Sequence, residues 1–315
     1  MGEFDLIRRF FRPLSPEPDC GPVVLGIGDD CAIQRLPAGQ DLVFSVDTMV
    51  EGVHFPQGYR PDFLGWRSLA AAASDLAAMG ADPVCFTLAL TLPEADEPWL
   101  EAFARGLASA STAFGLTLAG GDTTRGPLTL SLQVHGTLPS GCAIRRSGAR
   151  AGDLICVSGT LGNAGAALDY LEESAPTADM LALLEHYHHP VPRLETGKSL
   201  RGIATAAIDI SDGLLADLGH LLEASGTGAR VDVSSLPLSA PLRRLKGPEA
   251  AGYALQSGDD YELCVTVSPG RWSLAPDTLK SEFTVIGVVE AAPGLRLSGA
   301  GENASQGFDH FRRSS

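Results

Sequence analysis

The chain has 315 residues, 44% of them apolar, and a formal net charge of −15 that combines 20 Arg with only three Lys. The length allows two domains, each with its own core. No apolar run reaches a membrane span, the stretch from Phe4 to Phe11 is broken by Asp5, Arg8 and Arg9 unlike a signal peptide, and no basic cluster exceeds Arg145-Arg146 or Arg243-Arg244, so neither membrane nor nucleic acid is an expected partner and the expected address is the cytoplasm.

The first half alternates β and α. Residues 23–27 and 42–47 read as strands, each followed by a polar, Gly-containing turn. An Ala- and Leu-rich stretch, 62–79, has helix propensity, with Gly80 as its C′ residue and Pro83 beyond. Residues 84–92 are β-branched and apolar. Residues 97–114 predict a second helix stopped by Gly115, and 116–119 and 128–135 predict further strands. In the last of these Thr129, Ser131 and Gln133 alternate with Leu130, Leu132 and Val134, the period of a half-buried strand.

A Gly-, Pro- and Arg-rich seam follows, from Pro139-Ser140-Gly141 to Gly152, and places a domain boundary after residue 139. Beyond it, 154–157 predicts a strand opening into Gly159-Thr160-Leu161-Gly162-Asn163-Ala164-Gly165 and a helix. Helical stretches at 180–187 and 194–204, a strand at 206–210, a helix at 214–224 and strands at 261–267 and 283–289 complete a second α/β half. The expected fold is therefore α/β (α+β) in two domains, 1–139 with a mixed sheet and helices, and 140–315. The six cysteines never form a C-x-x-C pair, and several lie in apolar strand-like runs where Cys packs as a small hydrophobe.

Six acidic motifs punctuate the chain: Gly28-Asp29-Asp30, Ser45-Val46-Asp47, Ser74-Asp75, Gly121-Asp122-Thr123-Thr124, Asp209-Ile210-Ser211-Asp212-Gly213 and Gly258-Asp259-Asp260-Tyr261-Glu262. Several fall where a predicted strand ends, the place where ligands of α/β sheets gather. An anionic ligand would be repelled by such a site unless cations intervene. Mg²⁺ takes one or two protein carboxylates per ion and leaves its other positions to water and phosphate oxygens, so several carboxylates can hold several ions around a polyphosphate. Any one of these residues taken alone is as consistent with a turn or a helix cap as with a metal, Asp212 before the helix at Leu214 included.

Two phosphate-loop patterns are set aside. Gly197-Lys198-Ser199 lacks the upstream Gly of a P-loop, Pro192 standing in its place, and the Gly159/Gly162/Gly165 spacing is not that of a dinucleotide fold. His54 sits in a loop after the Asp47 strand, where it can donate to a phosphate or simply be solvated. His186, His188 and His189 read as a polar helix end sooner than a metal site. Arg145-Arg146 is either a bidentate phosphate clamp or an exposed linker pair.

With these residues assembled, the chain resembles the thiamine-monophosphate kinase family, in the ATP-binding superfamily that includes aminoimidazole-ribonucleotide synthetase and selenophosphate synthetase. The resemblance runs from Gly2-Glu3-Phe4 to Gly307-Phe308-Asp309-His310-Phe311. It rests most heavily on residues 26–32 (Gly-Ile-Gly-Asp-Asp-Cys-Ala), 74–83 (Ser-Asp-Leu-Ala-Ala-Met-Gly-Ala-Asp-Pro), 120–127 (Gly-Gly-Asp-Thr-Thr-Arg-Gly-Pro) and 210–214 (Ile-Ser-Asp-Gly-Leu).

The resemblance implies phosphorylation of thiamine monophosphate by ATP, and a homodimer formed through the N-terminal sheets. It implies Mg²⁺ sites at Asp30, Ser45, Val46, Asp47, Asp75, Asp122, Asp209 and Asp212, ATP contacts at Gly121, Asp122, Arg146 and Ser211, and substrate contacts at His54, Asp259 and Phe308. Val46 stands where the family commonly has Thr, so a metal contact there uses backbone oxygen. Asp259 stands where it commonly has Glu, and Phe308 can stack but lacks a Tyr hydroxyl. Selenophosphate synthesis would want a reactive Cys beside a Lys near the N-terminus, whereas Cys20 lies among prolines and the first Lys is Lys198. A non-catalytic nucleotide- and metal-binding scaffold is the rival of another class, and the acidic residues kept in every motif speak against it.

Overall fold

The computed structural model describes residues 2–17 and 21–299, without the side chain of Glu3; Phe308 lies outside the described residues. These divide into two compact units, one of residues 2–76 and 81–142, the other of residues 77–80 and 143–299.

In the first unit, β1 (Val23–Leu25) and β2 (Ile33–Gln34) form a small antiparallel pair. The main sheet holds β3 (Gln40–Val50), β4 (Asp82–Leu92), β5 (Thr117–Arg125) and β6 (Thr129–Pro139) in the order β3-β6-β4-β5. β3, β6 and β4 are antiparallel neighbours, and β5 joins β4 in parallel. A parallel neighbour needs a crossover, and the helix Glu97–Phe114 supplies it between β4 and β5. That helix starts with Pro within its first turn and ends on Gly115 at φ 67°, a left-handed cap that favours Gly.

Alternation along β6 decides which face is buried. Leu130, Leu132 and Val134 are buried together with Phe86, Leu88 and Leu90 of β4 and with Leu64, Leu69, Leu76, Phe103 and Leu107 of the two long helices, Pro61–Ala78 and Glu97–Phe114. Each such side chain contributes about 1.5–3 kcal/mol by leaving water. The helices approach backbone to backbone: a Cβ on Gly106 would lie 1.9 Å from the Asp62 carbonyl oxygen, and one on Gly65 would lie 2.4 Å from that of Phe103. The opposite face carries exposed Leu42, Phe44 and Val46 on β3.

The second unit is built on six strands, β7 (Leu154–Ser158), β8 (Ala206–Ile210), β9 (Gly228–Asp232), β10 (Glu262–Val267), β11 (Phe283–Glu290) and β12 (Gly294–Ser298), in the order β12-β9-β11-β7-β10-β8. Only the β12–β9 pair is parallel. The helix Leu214–Ser225 buries Leu214, Leu218, Leu221 and Leu222, one stripe at helical spacing, in the same core as Ile155, Val157, Ile208, Ile210 and Val231. The expected helix at 194–204 is shorter, Leu194–Ser199, and the chain turns at Gly202 with φ 75°.

Candidate active site

In the first unit the loop between β1 and β2 carries Asp29 and Asp30. Its shape is set at Ile27, whose amide donates to the Ser15 hydroxyl at 3.1 Å and whose carbonyl accepts from the Arg12 guanidinium. The Asp30 amide donates back to the Asp29 carboxylate at 2.8 Å, a local turn that leaves Asp30 exposed. This loop, the N-terminal residues Phe4, Arg8 and Arg12, and the stretch Gly120–Thr123 line one pocket of about 930 Å³. Gly121 belongs to β5, where a Cβ would fall 1.9 Å from the Leu88 carbonyl oxygen. The strand can therefore run close to β4 only with Gly there. Asp122 is exposed, and its carboxylate accepts the Thr123 amide at 2.9 Å.

Ser45 and Asp47 lie two apart on β3 and so share one face of the strand. The Ser45 hydroxyl donates to the carboxylate of Asp75, which projects from the helix Pro61–Ala78. Ser45, Asp47 and Asp75 are all half-buried. Val46 faces the other way and is 61% exposed, so its carbonyl is the only group it can offer a metal. In the turn after β3, the Val50 amide donates to His54 Nδ1 at 3.0 Å. That bond assigns the ring proton of neutral His54 to Nε2, which makes Nε2 the donor.

The acidic residues of the second unit gather at one end of β8 and β10. Asp209 is buried within β8, opposite Leu263 of β10. Ser211 and Asp212 follow the strand and are half-buried. The loop of Asp259 is bonded to theirs: the Asp259 amide donates to the Ser211 carbonyl and the Tyr261 amide to the Ile210 carbonyl, each at 2.9 Å. Asp259 and Tyr261 both hold positive φ, 67° and 51°, and the Tyr261 hydroxyl donates to the Asp259 carboxylate at 3.0 Å. Non-Gly residues in that region cluster at functional sites. Arg146 is exposed, and its carbonyl accepts from the Ser225 hydroxyl at 3.1 Å.

Three neighbouring carboxylates have roles the motifs do not reveal. Asp217 accepts the amides of Ser211, Asp212 and Gly213 at 3.0, 3.0 and 3.1 Å. Burial pushes its carboxyl up to about 7, against the pull of those three donors. Asp260 accepts the Gly162 amide at 2.7 Å, and burial holds its carboxyl well above the usual range although the Gly162 and Ala164 amides pull it down. Glu262 is buried, accepts the Ser158 hydroxyl, and takes both arms of the Arg193 guanidinium, Nε at 2.7 Å. An acid in the fourth position of a helix, or a half-buried Arg partner 69 residues away, leaves no local pattern in a sequence.

Among the described residues no three His, Cys, Asp or Glu side chains stand together as a ready-made metal site. The chemistry of the donors nevertheless fits Mg²⁺. Ser45, Asp47 and Asp75 present hard oxygens from one strand face and one helix, and the Ser45 hydroxyl and the Asp75 carboxylate lie within hydrogen-bonding reach of each other.

Two units with acidic loops, one carrying a Gly-lined pocket, define a class. Residues 28–138 match the family described as AIR synthase related protein, N-terminal domain, and residues 150–299 match its C-terminal domain counterpart. Within that class, thiamine-monophosphate kinase of Salmonella typhimurium LT2 is 47% identical over 98% of this chain and 98% of its own, and that of Escherichia coli K12 is 46% identical over the same shares. The chain belongs to the thiamine-monophosphate kinase family. Among solved structures, thiamine-monophosphate kinase from Stenotrophomonas maltophilia K279a superposes with a TM-score of 0.87 at 43% identity, covering 97% of this chain and 98% of that one. The complex of AaThiL with AMPPCP and TMP gives a TM-score of 0.81 at 32% identity, covering 98% and 97%. The hydrogenase maturation protein HypE in complex with ATP, 18% identical with a TM-score of 0.76, shares the fold.

Proposed function

We infer that the protein transfers the γ-phosphoryl group of ATP to the phosphate of thiamine monophosphate, giving thiamine diphosphate and ADP. The observation that carries this reading is 47% identity to a thiamine-monophosphate kinase along essentially the whole chain. Asp30, Ser45, Asp47, Asp75 and Asp122 of the first unit, with the Val46 carbonyl, and Asp209 and Asp212 of the second would hold Mg²⁺. Bound Mg²⁺ supplies neutralisation of the phosphate charges that otherwise keep donor and acceptor apart. Gly121, Asp122, Arg146 and Ser211 are assigned to ATP; His54, Asp259 and Phe308 to the thiamine substrate.

Transfer is direct and in line. An oxygen of the acceptor phosphate forms a bond to the γ-phosphorus as the bond to the β–γ bridging oxygen breaks and ADP departs. The acceptor is already an oxyanion, so no side chain has to remove a proton, and positioning with electrostatics carries the catalysis. Arg146 is suited to the bidentate grip of a phosphate, and His54 Nε2–H to donation toward an acceptor oxygen. Incubation with ATP, Mg²⁺ and thiamine monophosphate, followed by phosphorus NMR, is expected to show thiamine diphosphate and ADP rising together. Absence of thiamine diphosphate across a range of Mg²⁺ concentrations would sink the reading, and a competent phosphoprotein would replace direct transfer by a two-step route.

The open face of the first unit's sheet is proposed as the homodimer contact. Phe44 and Val46 are 62% and 61% exposed, and Leu42 adds to the same stripe. Apolar side chains lined up on an edge strand ask for a partner surface. Phe44→Asp is therefore expected to shift the protein from dimer to monomer in sedimentation equilibrium; an unchanged dimer would place the contact elsewhere. A cytoplasmic location is in keeping with the five described cysteines, Cys31, Cys85, Cys142, Cys156 and Cys264, all of which are free thiols.

A further inference from the structure

We propose that Asp217 is a positioning residue of the kinase reaction, holding the loop Ser211–Gly213 in the one shape that presents Ser211 and Asp212 to the metal-bound nucleotide. The proposal rests on the assignment of those two residues above. Its first ground is geometric. A single Oδ atom of Asp217 accepts three consecutive amides, those of Ser211, Asp212 and Gly213, at 3.0, 3.0 and 3.1 Å. An ordinary cap lies before its helix and accepts amides from the first turn. Here the capping position is Gly213, which has no side chain, and Asp217 reaches back from within the helix to amides that precede it.

The rest of the loop backbone is fixed as well. The Ile210 and Ser211 carbonyls accept from Tyr261 and Asp259, each at 2.9 Å, and the Gly213 carbonyl accepts from the Asp217 amide at 3.0 Å. Gly213 sits at φ 110°, and a Cβ there would lie 2.7 Å from the Gln256 carbonyl oxygen. Gly258 lets the second loop close on the first, since its Cβ would lie 2.1 Å from the Ser211 carbonyl oxygen.

A row of amides aimed at one point forms the kind of concavity that in phosphate-binding loops receives the ligand. In this protein the Asp217 carboxyl fills it. The loop amides are thereby closed to a nucleotide phosphate, and what the loop has to offer is the Ser211 hydroxyl and the Asp212 carboxylate. Neither side chain has a hydrogen bond or ion pair among the described residues. The phosphate is met through a hydroxyl and a metal-binding carboxylate on a scaffold locked from behind.

The test compares Asp217→Ala, Asp217→Asn and Asp212→Asn by steady-state kinetics in ATP, Mg²⁺ and thiamine monophosphate, with thermal melting alongside. Asp217→Ala is expected to raise the Mg²⁺ concentration for half-maximal rate, and KM for ATP with it, by about 10- to 100-fold, the usual effect of losing the support behind a metal ligand. KM for thiamine monophosphate is expected to stay put. Asp217→Asn keeps an oxygen for the amides and is expected to recover most of the loss. If Asp217→Ala leaves Mg²⁺ and ATP dependence unchanged while Asp212→Asn impairs both, the role of Asp217 is overturned and the site assignment stands. If Asp212→Asn is also without effect, the site assignment falls and the proposal falls with it. A lowered melting temperature in Asp217→Ala with both substrate KM values raised alike shows a merely structural residue, and equally overturns the proposal.

Discussion

Asp75→Asn is expected to lower kcat/KM by about 10²- to 10³-fold, about 3–4 kcal/mol of transition-state stabilisation, the scale of removing one preorganised electrostatic partner. The substitution keeps shape and hydrogen bonding: an amide oxygen can still accept from the Ser45 hydroxyl, as the carboxylate does now. What it removes is charge, at a half-buried position where the helix Pro61–Ala78 meets the Ser45–Asp47 face of β3. A divalent ion held there depends on that charge far more than the fold does. The melting temperature is therefore expected to change little, and added Mg²⁺ to recover part of the rate. Near-normal turnover at low Mg²⁺ would show that Asp75 holds no ion. A large fall in melting temperature would show instead that its bond to Ser45 is chiefly structural.

How much of this was legible in the sequence depends on whether the cause was local. The helix Glu97–Phe114 is readable at both ends, because Glu97-Pro98 begins it and Gly115 stops it by conformational need. Strand β6 is readable from its strict alternation, since one face packs on helices and the other does not. Strands β9 and β12 are not: Gly228–Asp232 and Gly294–Ser298 are short, begin with Gly and carry Arg230 and Arg296, and what makes them strands is their pairing with each other and that of β9 with β11. The acidic motifs pointed to a site, yet they did not sort themselves. Asp122 falls inside β5 and Asp47 inside β3, where a strand end was expected, because the hydrogen-bonded ladders with β4 and β6 carry both strands past the polar residues. Asp260 and Glu262 sit in a motif that reads as a ligand loop, but their carboxylates are taken by Gly162 and Arg193. Such assignments need three-dimensional neighbours, and spacing along the chain does not hold that information.

Arg193 and Glu262 give the second large effect, this time on stability. Glu262 is only 3% exposed and sits at the start of β10, opposite Ile210. Its two carboxylate oxygens are satisfied by the Arg193 fork and the Ser158 hydroxyl, and the Arg193 guanidinium is held above its ordinary range by that bond. A buried pair contributes little over an apolar replacement, but removing one partner strands the other. Arg193→Ala leaves a desolvated carboxylate with one hydroxyl donor and is expected to cost about 3 kcal/mol, the low end of the range for a broken buried pair because Arg193 itself is one-third exposed. Glu262→Gln added to Arg193→Ala removes the stranded charge, so the double variant is expected to be more stable than Arg193→Ala alone. Urea unfolding measures both steps. The pair would be energetically idle if Arg193→Ala left the midpoint where it was. The charge argument would be wrong if the double variant were less stable than the single one. Activity adds a further discrimination: because β10 follows directly on the loop of Asp259, loss of the pair is expected to raise KM for thiamine monophosphate more than KM for ATP, and equal rises would mean that the damage spreads through the whole unit.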